Sequence, residues 1–185
     1  LGYVELIERA GEVNDQQRGF IQTIKNNVKR MQVLVSDLND ISRIESGQLY
    51  IELEAVDMLD AIEEVKAGVM QQISDRGHEW VEKTDPDLPL VHADRSRVVQ
   101  VLTNLLSNAY KYTPDGGTIT LRGKRDDDLV MLEVSDTGVG MTPEEVSQLG
   151  IKFWRADNAH VTNQPGTGLG VAITRNLIRL MDGDL

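Results

Sequence analysis

Leu102-Thr103-Asn104-Leu105-Leu106-Ser107-Asn108-Ala109-Tyr110-Lys111-Tyr112 is the stretch on which the fold turns. It lies in a strongly amphipathic helix predicted from Ser96 to Lys111, with Val98, Val101, Leu102 and Leu105 on the core side. Asn104, Asn108 and Lys111 follow at i, i+4 and i+7, so they share one face. Amide oxygens are hard neutral ligands. They suit Mg²⁺, which keeps several waters and borrows further ligands from a phosphate chain. Lys111 can neutralise phosphate charge. Taken alone, the same residues are also a solvated polar face.

Downstream, Asp115-Gly116-Gly117 marks a turn, and Thr118 to Arg125 and Leu129 to Asp136 read as an antiparallel strand pair. The pair ends on Asp136-Thr137-Gly138-Val139-Gly140-Met141. A carboxylate at a strand end can accept from an exocyclic amine such as that of adenine, and Gly138 and Gly140 let the backbone approach a ligand closely. An ordinary tight turn uses the same residues. Thr142-Pro143-Glu144-Glu145 is a helix start, with Thr142 as cap and Glu145 closing a capping box. Lys152-Phe153-Trp154-Arg155-Ala156-Asp157-Asn158 leads into a polar stretch, Asp157 to Gln164, with the profile of a mobile lid anchored by Phe153. Gly166-Thr167-Gly168-Leu169-Gly170 then opens a last helix running to about Met181. Glycines there expose N–H donors at the positive end of the helix dipole, where a phosphate is welcome. No Gly-Lys-Ser/Thr follows, so this is not a P-loop, and no strand directly precedes it as a dinucleotide fingerprint requires.

Upstream, Asp57 to Arg76 reads as a helix with Leu59, Ile62, Val65, Val69 and Ile73 on one face. His78 to Lys83 is a short strand, Gln48 to Leu53 alternates as another, and Pro86 and Pro89 mark a loop. Gly47 ends a long helix capped by Asn14 or Asp15. Its Ile21, Ile24, Val28, Met31, Val35 and Leu38 form a heptad-like stripe, widened by Leu34 and Ile41 as in a four-helix bundle. One helix cannot bury that stripe alone, which predicts a homodimer through a helical stem; packing on its own domain is the other reading. Leu1 to Ala10 reads as the last turns of a preceding helix, and a start without Met in mid-pattern reads as the cut end of a longer protein. Helices on one face of a mixed sheet give an α+β, two-layer sandwich, residues 49–185, after a stem of residues 1–48.

The formal net charge of −11 argues against a surface that grips nucleic acid or anionic lipid. A polyanionic ligand would therefore depend on local N–H groups, a metal or a few basic side chains. The absence of cysteine removes disulfides and thiolate zinc sites. No apolar run is long enough to span a bilayer, so no membrane contact is expected within the chain. Aromatics make up 4% of the residues, so the core must be built from Leu, Val, Ile and Met.

In this order the four clusters resemble the catalytic and ATP-binding domain of two-component sensor histidine kinases, of the superfamily shared with gyrase and heat-shock chaperone ATPases. Asn104 to Tyr112 looks like the N box, Asp136 to Gly140 the first glycine box, Phe153 to Arg155 the F box and Gly166 to Gly170 the second glycine box. Ile41-Ser42-Arg43-Ile44-Glu45-Ser46-Gly47-Gln48-Leu49 is similar to the end of the family's dimerisation helix.

The resemblance implies ATP as substrate, with Mg²⁺ held by Asn108 and, second, Asn104. It implies Lys111 and Arg155 at the phosphates, Tyr112 and Phe153 at the nucleotide, and Asp136 with Gly138 and Gly140 at adenine. Gly166, Thr167, Gly168, Leu169 and Gly170 would form the lid hinge and phosphate contact. It further implies a cytoplasmic domain, a histidine as acceptor and the receiver domain of a response regulator as next partner. Asn104 stands where the related ATPases place a Glu, and an amide is no general base at neutral pH, so little hydrolysis is expected. The family's acceptor His would fall upstream of Leu1, and a final hairpin would follow Leu185. The chain is thus expected to bind Mg-ATP without phosphorylating itself. His78, His92 and His160 are read as surface or structural residues. A serine kinase of the same superfamily, and a degenerate nucleotide-binding dimer, stay open as alternatives.

Overall fold

In the computed structural model, Asn14 begins the longest helix, α1 (Asp15–Glu45), through a complete capping box with Gln17. Residues 6–7, 11–158, 161–162 and 164–185 are described; the expected helix over Leu1 to Ala10 and the residue His160 fall wholly or largely outside them. The capping box settles the cap on Asn14 rather than Asp15. Gly47, at φ +65°, closes the helix one residue after its Ser46 cap. Ile24, Met31, Val35 and Leu38 of the expected stripe are exposed, with Phe20 beside them, each between 46% and 63%, whereas Ile21 and Ile41 are buried. The chain divides into two compact units, 1–48 and 49–185.

In the second unit the order is β1 (Glu54–Val56), α2 (Met58–Asp75), β2 (Glu79–Thr84), β3 (Val91–Ala93), α3 (Arg95–Tyr112), β4 (Thr118–Asp126), β5 (Leu129–Asp136), α4 (Pro143–Gln148) and α5 (Gly170–Leu180). Strands β2, β4 and β5 form a mixed sheet in that order, β2 parallel and β5 antiparallel to β4. Helices α2 and α3 pack together and against the sheet, and α5 packs on α3. This is the expected α+β arrangement. Ile62, Val65, Val69 and Ile73 of α2, Leu102, Leu106 and Ala109 of α3, and Ile119 and Leu121 of β4 make the core. Leu106 and Ala109 are fully covered while Leu105 is only half-buried, so the core face of α3 is rotated slightly from the predicted one.

Two predicted boundaries move. The strand expected over Gln48 to Leu53 is not a strand; pairing begins at Glu54, where β1 meets β3 in register Glu54↔Ala93. Alternation alone does not make a strand, and residues 49–53 have no ladder partner. The short β3 that supplies one was hidden behind Pro86 and Pro89. The last helix starts at Gly170 rather than Gly166, so the glycines precede it as a loop.

Candidate nucleotide site

The phase of β5 aims its last residue at the helix layer. Val130, Leu132 and Val134 pack towards the core, and period-two alternation puts Asp136 on the same side, opposite Ile119 of β4. There Asp136 meets the end of α3. Its Oδ1 accepts from Gly138 N at 2.8 Å and lies 3.5 Å from Thr113 Oγ1. Its Oδ2 accepts nothing from the described residues. The loop that follows fits one residue type only. A Cβ on Gly138 would stand 2.4 Å from Asp136 Oδ1 and 2.8 Å from Tyr112 O. Val139 N donates to Tyr112 O at 3.2 Å, tying the loop to the helix end.

Asn104, Asn108, Lys111 and Tyr112 do share one side of α3, as their spacing requires. Asn104 Nδ2 donates weakly to Gly170 O and Thr174 Oγ1, both at 3.4 Å, which joins α3 to the start of α5. The half-buried Asn108 amide has no hydrogen-bond partner among the described residues. Lys111 Nζ lies 5.8 Å from the Tyr110 ring centre. No cluster of three acidic, His or Cys side chains that could hold an ion exists among the described residues.

The other wall is built differently. Phe153, expected to anchor the lid and to lie at the nucleotide, has φ +65° and is 61% exposed. Its backbone is the anchor instead: Phe153 N donates to Gly168 O at 3.0 Å. Gly168, at φ +72°, lies so close that a Cβ would be 2.7 Å from Phe153 C. Arg155, expected at terminal phosphates, donates to the carbonyls of Val161, Gln164 (2.7 Å) and Gly166 (3.4 Å). Tyr112 comes near this wall, with its hydroxyl 3.4 Å from the position a Cβ on Gly166 would take. Thr167 Oγ1 accepts from Leu169 N at 3.1 Å, and Leu169 is fully buried. The N-cap residue of α5, Leu169, makes no side-chain cap bond.

Thr113 and Thr174 escaped the sequence reading, and Gly117 was read only as part of a turn. Thr113 is fully buried and hydrogen-bonds Ala109 O at 2.7 Å as well as facing Asp136. A Thr just before a Pro at a helix end was its only signal. Gly117 is needed because a Cβ would stand 2.3 Å from Thr113 Cγ2. His78 is a buried structural residue, and His92 is exposed on β3.

The far end of α3 is held by Asp94, which caps it and accepts from Ser96 Oγ (2.7 Å), Glu52 N (3.1 Å) and Arg97 N (3.2 Å). Burial pushes its carboxyl up, but those hydrogen bonds and the Arg97 charge outweigh it and hold Asp94 below the usual carboxylate range.

Residues 93–185 match the family described as histidine kinase-, DNA gyrase B- and HSP90-like ATPase, and residues 1–47 match the His kinase A (phospho-acceptor) domain. The chain is 35% identical to the non-motile and phage-resistance protein of Caulobacter vibrioides, over 100% of its own length and 23% of the relative's. It is also 35% identical to the sensor histidine kinase RcsC of Escherichia coli, over 90% of its length and 18% of that protein. The chain thus spans less than a quarter of these relatives. The crystal structure of full-length ShkA in complex with AMPPNP superimposes with a TM-score of 0.80 at 26% identity, covering 98% of this chain and 37% of that one. With four ordered boxes on an α+β sheet and a phospho-acceptor stretch ahead of them, the chain belongs to the histidine kinase-, DNA gyrase B- and HSP90-like ATPase family, as a member of its sensor histidine kinases.

Proposed function

We propose that this chain binds Mg-ATP and donates the γ-phosphoryl group to a histidine, from which it passes to an aspartate of a response-regulator receiver domain. The observation that carries the reading is the Asp136 carboxylate. One oxygen is fixed by Gly138 N and Thr113, and the other is left to accept from an adenine amine. Tyr112 and the Gly138 loop flank it. Lys111 and the uncapped start of α5 supply positive potential for the phosphates, in a chain whose net charge is otherwise −11. Mg²⁺, held by Asn108 with Asn104, would shield the charge on the transferring group. Asn104 cannot take a proton from water, so ATP waits for an acceptor. Arg155 would exchange the carbonyls it now holds for phosphate oxygens.

The exposed stripe of Phe20, Ile24, Met31, Val35 and Leu38 is the homodimer face of the stem, since an apolar strip of that length on one helix needs a partner. Within residues 1–47 there is no histidine, although that stretch matches the phospho-acceptor family. Transfer needs acceptor and γ-phosphate in line. The 185-residue chain should therefore bind Mg-ATP but take no label on histidine. Incubation with γ-labelled ATP, followed by acid and base treatment, tests this. Acid-labile, base-stable label on this chain would show an acceptor within it. Failure to bind Mg-ADP by calorimetry would remove the nucleotide reading altogether.

A further inference from the structure

An α-helix leaves its last four carbonyls without internal partners. In α3 those of Ala109, Tyr110, Lys111 and Tyr112 are all taken, by three separate parts of the fold. Ala109 O accepts from Thr113 N and Oγ1, and Tyr112 O from Val139 N. The middle two are served from the α2–β2 junction. Arg76 Nη1 donates to Tyr110 O and, at 3.1 Å, to Lys111 O; His78 Nε2 lies 3.2 Å from Tyr110 O. Arg76 Nε also pairs with Asp115 at 2.8 Å, and Arg76 O accepts from Gly116 N at 3.1 Å. The guanidinium is thus bonded both to the last turn of α3 and to the turn after it, with Tyr112 and Thr113 between. Its charge also lies at the negative end of the helix dipole.

We propose that Arg76 is a positioning residue for nucleotide binding: it fixes the last turn of α3, and through Tyr112 and Thr113 it sets the Gly138 loop and the Asp136 carboxylate. The proposal rests on the nucleotide-binding reading above. It separates Arg76 from an ordinary surface ion pair, because Asp115 is 74% exposed and such a pair alone contributes little. A lysine cannot replace it fully, since one ammonium cannot reproduce a planar fork serving two carbonyls and a carboxylate.

The test is Mg-ADP titration of wild type, R76Q, R76K and D115N, each shown folded by circular dichroism, with hydrogen exchange read at Val139. R76Q should weaken ADP about tenfold, R76K should recover part of the loss, and D115N should stay within about twofold of wild type. Val139 N–H should exchange faster in R76Q while the β4–β5 ladder keeps its protection. Wild-type affinity in folded R76Q, a uniform rise in exchange, or a D115N loss equal to that of R76Q each overturns the proposal. If R76Q does not fold, R76K carries the same measurements: weakened ADP with local exchange at Val139 supports the clamp, and wild-type behaviour overturns it. A wild-type chain that fails to bind Mg-ADP overturns the nucleotide reading instead.

Discussion

The two glycine loops look alike in sequence and are held in unlike ways. The loop at Gly138 hangs on α3, a core helix with both ends bonded, and its glycine is imposed by a carboxylate and a carbonyl already in place. The loop at Gly168 hangs on the backbone of Phe153, whose ring is exposed, and on a segment drawn together by Arg155. One wall is prearranged by the core. The other is secured by a few polar contacts that a ligand could replace. On the nucleotide reading proposed above, such a site would recognise the base with rigid parts and keep its adaptable parts for the phosphates.

The sharpest way to break the comparison is Gly138→Ala. A methyl group with no room beside Asp136 Oδ1 and Tyr112 O should cost about 3 kcal/mol of ADP binding, on the order of a hundredfold. Calorimetric affinity within a few-fold of wild type would mean the first loop is as adaptable as the second. Asp136→Asn comes next, at about 1–3 kcal/mol, because the amide can present a donor to the adenine amine. Unchanged ADP affinity would take Asp136 out of the pocket.

Arg155→Gln should act on the second wall alone. Removing the guanidinium should raise hydrogen exchange around Val161 and Gln164 roughly fivefold, about 1 kcal/mol of local stability, and leave Gly138 and Val139 unchanged. Equal changes in both loops would show that the walls are coupled.

Acid probes the anchoring of α3. The folded-state pKa of Asp94 is depressed, so its stabilising effect is complete above the unfolded carboxylate value and is lost as pH falls through the folded one. Asp94→Asn should therefore lower the melting temperature at neutral pH and narrow the gap to wild type in acid. A gap independent of pH would contradict this. The smallest effect belongs to Phe153→Ser, within about 0.5 kcal/mol of wild-type stability, since the residue is 61% exposed and the backbone does the holding. A large drop in melting temperature would restore the ring as an anchor.

The sequence by itself determined helices α1 to α5 and the β4–β5 hairpin. Helical and strand periods, capping residues such as Asn14, Asp57 and Thr142, and turn glycines are local signals, and each acts within a few residues of itself. Tertiary structure decided everything that needed a distant partner. Residues 49–53 alternate like a strand, but pairing starts only where β3 supplies a ladder. Phe153 reads as an anchor from its apolarity, yet the packing of Gly168 against its backbone turns the ring outwards. Arg155 reads as a phosphate ligand, and in the protein alone its two Nη groups donate to three nearby carbonyls. Arg76 and Thr113 carried almost no signal, because their value lies in which carbonyls stand across from them. A hydrogen bond across the fold depends on where two segments meet, and periodicity along one segment carries no information about that meeting.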